Sequence, residues 1–276
     1  ATAVIQGFQP AGDQATDGAG KHSSTDYKAA RGTFPAASRA GGPIVESSGN
    51  PRSGPSDEAL FTDVSLVGPR DAKSVLLLIS GTHGVEGFAG SAIQTGLLRE
   101  GIAGHLDEDV SVLMIHALNP YGFAHLRRFN EDNVDLNRNF VDHSQPYKRN
   151  LRYEELERAI SPASISFLAN VSSILELMWY RVKHGEAALK EAVTLGQHTD
   201  PEGLFYGGRS ETWSNRTLRA IVGRYLSGAE RVAAVEVHTG PGSLGGAAII
   251  LNEEHNPPPV RAPRRGGGPW PRLPRR

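Results

Sequence analysis

Two histidines and a glutamate carry the first chemical signal in this chain. His83 and Glu86 stand three apart in "SGTHGVEG" (80–87), directly after the apolar run "SVLLLI", and His238 closes a second run in "RVAAVEVHTG" (231–240). Two imidazoles and one carboxylate form a catalytic zinc set, because three protein ligands leave a fourth position for water. A metal held this way lowers the pKa of that water and polarises a carbonyl. A His-x-x-Glu spacing alone also arises by chance, and a strand-end histidine is often only hydrogen-bonded. A second signal is the stretch "NPYGFAHLRRFNEDNVDLNRNF" (119–140), rich in Asn and Arg and lacking Lys. It holds Arg128 and the adjacent pair Asn137 and Arg138. Arginine forks bind carboxylates in bidentate fashion, and an oxyanion needs preorganised donors. A solvated charged loop is the plainer alternative.

The elements that must position these residues are legible. "SVLLLIS" (74–80) is a short continuous apolar run, as in a strand buried on both faces. "DVSVLMIHALNP" (109–120) and "RVAAVEVHTG" read the same way, "ALFTDVSLVG" (59–68) alternates in part, and "GGAAIIL" (245–251) reads as a further strand. Between the first two lies "FAGSAIQTGLLREG" (88–101), with helical spacing and a terminal Gly. Strand, helix and strand in that order imply parallel pairing. The fold class is α/β, with a mixed, mostly parallel central sheet flanked by helices. In such sheets ligands bind beyond the carboxyl ends of the strands, so the three polar strand ends converge on one edge. Glycines 81, 84 and 87 give the backbone freedom to aim both ligands at one ion. Residues 151–195 read as helices, with Ser161-Pro162 as a starting pair.

The rest of the chain sets limits. The 276 residues carry a formal net charge of -1, which gives no global bias toward nucleic acid or anionic membrane. There is no cysteine, which excludes disulfides and thiolate metal sites. No apolar run approaches the roughly 20 residues of a membrane span, no signal peptide is evident, and a cytoplasmic location fits. The chain lacks a starting Met, as a processed chain or a fragment does. Residues 1–57, rich in Gly, Ala, Ser and Pro, read as loosely ordered, with a possible helix in "STDYKAARGTFPAASRA". Residues 58–254 form the α/β domain. The tail 255–276 holds seven Pro, six Arg and no acid; without those Arg the balance is 23 basic against 30 acidic residues. It reads either as non-native sequence or as a disordered basic segment, and only in the second case would it offer nucleic acid a place to bind. "GPGSLGG" (240–246) lacks the Lys-Ser/Thr of a phosphate loop, and "GRSET" is not a nucleophile elbow.

"GTHGVEG", "NPYGF", "RFNEDNVDLNRNF" and "EVHTG", in this order, resemble the zinc metallocarboxypeptidase superfamily. That superfamily includes the M14 peptidases and the succinylglutamate desuccinylase/aspartoacylase group. The chain is most similar to its bacterial DUF2817 branch, which "GQHTDPEGLFYGG" (196–208) and "WSNRTLR" also resemble. The resemblance runs from about residue 59 to 252. It implies a zinc carboxypeptidase-like fold, one zinc ion held by His83, Glu86 and His238, and hydrolysis of an amide bond next to a carboxylate by metal-activated water. The substrate would be a peptide or small molecule with a free carboxylate, with carboxypeptidase and N-acyl amino acid deacylase chemistry both open. Arg128 would polarise the scissile carbonyl, with Arg127 the competing choice. Asn137 and Arg138 would hold the substrate carboxylate, Asp135 would shape their loop, and Tyr206 would line the pocket or simply pack. One part of the family pattern is missing. The general-base glutamate comes from a strand well after the third ligand, and only Glu253 and Glu254 follow His238, too close to it to fit. The fold is therefore expected to be incomplete at its C-terminal end, and a non-catalytic zinc- or ligand-binding protein is the alternative function.

Overall fold

A computed structural model describes residues 2–6, 19–40, 44–164, 166–240, 248–252 and 260–261. The chain divides into two compact units, one made of residues 1–128 and 217–276, the other of 129–216. The single stretch 58–254 expected from the sequence is thus shared between them.

The first unit is built on an eight-stranded sheet. Its strands are β1 (Thr2–Gln6), β2 (Ile44–Ser53), β3 (Ala59–Val67), β4 (Ser74–Ile79), β5 (Val110–His116), β6 (Arg231–His238), β7 (Ala248–Asn252) and β8 (Val260–Arg261), in the spatial order β2-β3-β5-β4-β6-β1-β7-β8. The class is mixed α/β, but the expected predominance of parallel pairing holds only at the centre. The pairs β5–β4, β4–β6 and β6–β1 are parallel, and the four outer pairs are antiparallel. Helix α2 (Gly87–Arg99) makes the crossover from β4 to β5. Together with α1 (Tyr27–Ala40) it covers one face, where Phe34, Ala37 and Leu98 pack on Leu78, Val112, Met114 and Val237. Val75, Leu77 and Ile79, on the opposite side of β4, are buried too, as an apolar run without alternation requires.

Among the described residues of 1–57, the structure has the helix that the sequence suggested and a strand that it did not. The possible helix is α1, started by Asp26, whose Oδ1 accepts from Ala29 N–H at 2.8 Å. Strand β2, "IVESSGNPRS", has no strand-like sequence. It forms as the edge partner of β3, and its register breaks between Gly49 and Ser53, which accommodates Pro51. Within the tail 255–276 only Val260–Arg261 is described; the rest, with Glu253 and Glu254, lies outside the described residues.

The second unit contains α4 (Leu136–Asn139), α5 (Leu151–Ile160), α6 (Phe167–His184) and α7 (Glu186–Thr194). Leu156, Tyr180, Ala188 and Ala192 form its small apolar centre. Ser161-Pro162 does not start a helix: Ser161 closes α5, donating its N–H to Glu157 O at 2.7 Å, because a residue before proline is disfavoured in helical geometry. The next helix begins at Phe167, with Ser166 Oγ accepting from Ala169 N–H.

Candidate metal centre

The site begins with a register. β4 and β6 run parallel with Ile79 opposite Glu236, so both strands deliver their next residues to the same sheet edge. The chain leaving β4 turns at Gly81, whose φ of +68° suits glycine. It then makes one 3-10 turn, Gly84–Glu86, with Glu86 N–H donating to His83 O at 3.0 Å. Three residues per turn put positions i and i+3 on one side, so His83 and Glu86 face the same way. Gly84 and Gly87 serve contact rather than flexibility. A Cβ on Gly84 would overlap the backbone of Gly122 and Phe123, and one on Gly87 would lie 2.6 Å from the Phe123 ring.

His238, the last residue of β6, meets this turn. His83, Glu86 and His238 each offer a ligand atom within 4.8 Å of the others. The Glu86 carboxylate bridges the imidazoles: Oε1 lies 3.3 Å from His83 Nδ1 and Oε2 lies 2.7 Å from His238 Nδ1. Both histidines are buried, at 4% and 5% exposure. Thr239 N–H donates to Glu86 Oε2 at 3.1 Å. On its other side, His238 Nε2 lies 3.0 Å from Glu236 Oε1.

This carboxylate–imidazole–carboxylate chain sets the local charge. Burial raises the Glu86 pKa, but hydrogen bonds from His238 and His83 outweigh it and hold the carboxyl at about 2. Burial lowers the His238 pKa, yet hydrogen bonds to Glu236 and Glu86 bring it up to about 9. Glu236 is held below the usual range against its own burial, chiefly by its hydrogen bond to His238. A protonated His238 offers one N–H to each carboxylate, Nδ1 to Glu86 and Nε2 to Glu236, and a cation between His238 Nδ1 and Glu86 would take the place of the Nδ1 proton. The donor set suits zinc. It has two nitrogens and a carboxylate, the ligand types of catalytic zinc sites, and all three atoms lie within 4.8 Å of one another.

Arg128 is the arginine at this edge. Its guanidinium lies 4.0 Å from Glu86 Oε1 and is one-third exposed. Its backbone is anchored from two directions: Arg128 O accepts from Gly84 N–H and from Asn119 Nδ2 at 3.3 Å. Asn119 is fully buried and also caps α3 (Pro120–Ala124), its Oδ1 accepting from Gly122 N–H at 2.9 Å.

The remaining site candidates belong to the second unit. Asp135 caps α4, accepting from Asn137 N–H at 3.0 Å, and donates its own N–H to Tyr206 O at 2.8 Å. The loops of Asn137, Arg138 and Tyr206 are therefore joined through the backbone. Asn137 is exposed, whereas Tyr206 is buried. Arg138 donates from Nη1 to Asn137 O at 3.1 Å and from Nη2 to Thr194 O, the last residue of α7. Part of its fork thus closes a helix end.

The family model described as "Protein of unknown function (DUF2817)" matches residues 23–268. The chain belongs to the DUF2817 family. That is the branch which the four motifs resemble. No curated protein matches this DUF2817 chain. Among solved structures, it is similar to a carboxypeptidase A from Helicoverpa armigera, at 13% identity over 78% of this chain and 46% of that one, with a TM-score of 0.44. It is similar to a candidate succinylglutamate desuccinylase/aspartoacylase from Shewanella frigidimarina, at 21% identity over 73% and 47%, with a TM-score of 0.37. A Zn-dependent exopeptidase from Parabacteroides distasonis gives 13% identity over 79% and 79%, with a TM-score of 0.30. The DUF2817 chain spans less than half the length of the first two.

Two residues of this DUF2817 site escaped the sequence reading. Glu236 stands two before His238, and strand alternation places both side chains on one face; a carboxylate there was a readable signal. The expectation that this strand is buried on both faces does not hold: β6 is exposed over 231–233, half-buried over 234–236, and buried only at Val237 and His238. Asn119 directly precedes Pro120, the pattern of a helix start, but its second bond, to Arg128 O, depends on tertiary contact.

Proposed function

We propose that the protein is a zinc-dependent hydrolase of an amide bond adjacent to a carboxylate, of carboxypeptidase or N-acyl amino acid deacylase type. The observation that carries this reading is the buried triad in which Glu86 bridges Nδ1 of His83 and Nδ1 of His238. These three side chains would hold one ion. When bound, zinc supplies Lewis acidity and lowers the pKa of a water ligand. Glu236 would fix the His238 ring from behind, as outer carboxylates do for ligating imidazoles. Arg128, held at the same edge, would donate to the carbonyl oxygen as charge develops on it. Asn137 and Arg138 would take the substrate carboxylate; the Arg138 bonds to Asn137 O and Thr194 O use only part of a five-donor fork. Tyr206 would line the pocket.

A second reading, a zinc- or ligand-binding protein without turnover, is favoured by one observation. Glu86 and Glu236, the two carboxylates touching His238, are both engaged with its imidazole. Neither is placed to carry a proton from water to a leaving group.

The test is metal content of the purified chain, with hydrolysis of a small panel of peptides and acyl amino acids. One zinc per chain, lost in His83→Ala, together with turnover supports the hydrolase. Stoichiometric zinc without turnover selects the second reading. Tight zinc retained in His83→Ala overturns the triad.

A further inference from the structure

Helix α6 is apolar on two sides. Ala169, Ser173, Leu177 and Tyr180 form the stripe turned toward its own unit, and Leu177 and Tyr180 pack into the α5–α7 centre. At 100° per residue, a second stripe lies diametrically opposite: Leu168, Val171, Leu175, Met178, Trp179 and Val182, all exposed at between 37% and 78%. Phe167 and Ile174 border it at 80% and 56%. With an aromatic side chain alone offering roughly 150–250 Å², these residues present on the order of 800 Å² of apolar surface. The largest patch on an ordinary monomer is about 300–600 Å². About 800 Å² is what each partner contributes to a standard stable interface.

The spacing of this face names its occupant. Leu168, Val171, Leu175, Trp179 and Val182 follow each other at intervals of three, four, four and three residues. The order is the same read in either direction. Two such helices placed antiparallel about a dyad at Leu175 therefore set Leu168 against Val182, Val171 against Trp179, and Leu175 against itself. This is the self-complementary arrangement a two-fold interface requires. Parallel pairing would bring the Arg181, Lys183 and His184 end of one helix against the same end of its mate. A membrane surface fits less well, because an interfacial helix lines its polar face with Lys and Arg, and α6 has Arg181 and Lys183 only at its C-terminal end.

We infer that α6 is the dimer interface of this protein, pairing antiparallel with α6 of a second copy. The absence of cysteine from the chain makes the test direct. In Leu175→Cys, the single thiol faces its symmetry mate and should give a covalent dimer on mild oxidation. In Lys183→Cys, the thiol lies eight residues from the dyad, about 24 Å from its mate along the axis. That is beyond the roughly 4.4–6.8 Å between Cα atoms that a disulfide spans, so the variant should stay uncrosslinked. Sedimentation of the full chain should show a dimer, and Leu175→Glu should sediment as a monomer with unchanged circular dichroism, since Leu175 is exposed. Mixing Leu175→Glu with Leu175→Lys should restore the dimer. A monomeric full chain, a dimer that survives Leu175→Glu, or crosslinking of Lys183→Cys in place of Leu175→Cys would each overturn the proposal. So would a monomer that floats with phosphatidylcholine vesicles and loses this binding in Leu175→Glu, which would assign the face to a membrane.

Discussion

In the proposed zinc site, Glu236 is expected to set how tightly the metal is held. Its carboxylate lies 3.0 Å from His238 Nε2, on the ring edge opposite Nδ1, the nitrogen that meets Glu86. Glu236→Gln keeps the side-chain size and removes the charge, so zinc should still bind, but with affinity reduced roughly 10- to 100-fold. Titration against a competing chelator measures this; unchanged affinity would show that the carboxylate does not support the ligand. The three candidate ligands came from residue type, motif order and the resemblance together, since neither His-x-x-Glu nor a strand-end histidine is distinctive alone; the structure brings their side chains to one place. Arg138 shows the limit of such reading. Its place beside Asn137 suggested a carboxylate fork, but no local pattern shows that Thr194, 56 residues away, receives one of its N–H groups.

At the scale of elements, the ligand turn depends on how closely it approaches α3. Gly84 has no room for a Cβ against the backbone of Gly122 and Phe123. Backbone gives way less easily than a flexible side chain, so Gly84→Ala should cost about 1–3 kcal/mol or more and lower the zinc stoichiometry. A denaturant melt combined with metal analysis checks both, and a fully stable, fully loaded variant would refute the close contact. Asn119→Ala leaves Arg128 O and Gly122 N–H each one partner short, at about 1–3 kcal/mol. The parallel β4–α2–β5 unit was legible because continuous apolar runs flank a helical period. β2 was not, because its residues have little strand preference and its pairing is imposed by β3, from which its register partly slips. The true start of α6 was also hidden, since Ser161-Pro162 offers the same signal as a helix beginning while closing the helix before it.

At the scale of the whole molecule, acid should unfold the protein through His116. The ring is fully buried in β5, stacked on Phe34 at 4.5 Å and bonded to Ser91 Oγ at 2.9 Å. Burial, reinforced by the Arg31 charge, pushes its pKa down to about 3. Unfolded, the same group titrates near 6.5. Between these values the unfolded chain binds the extra proton, so this stability is fully present above about 6.5 and is lost as pH falls toward 3. At pH 4.5 the loss should be roughly 2–3 kcal/mol relative to pH 7. Urea melts at the two pH values should therefore show a steeper decline for the wild type than for His116→Gln; parallel declines would mean that the ring ionises freely. Glu86 and His238 are 152 residues apart, and the whole second unit, 129–216, is strung between them. Closing a loop of that length is entropically expensive and slow, but a segment that compacts locally first shortens the distance left to search. During refolding, uptake of zinc should thus be the last event to complete, a clock that strikes when β6 docks beside β4.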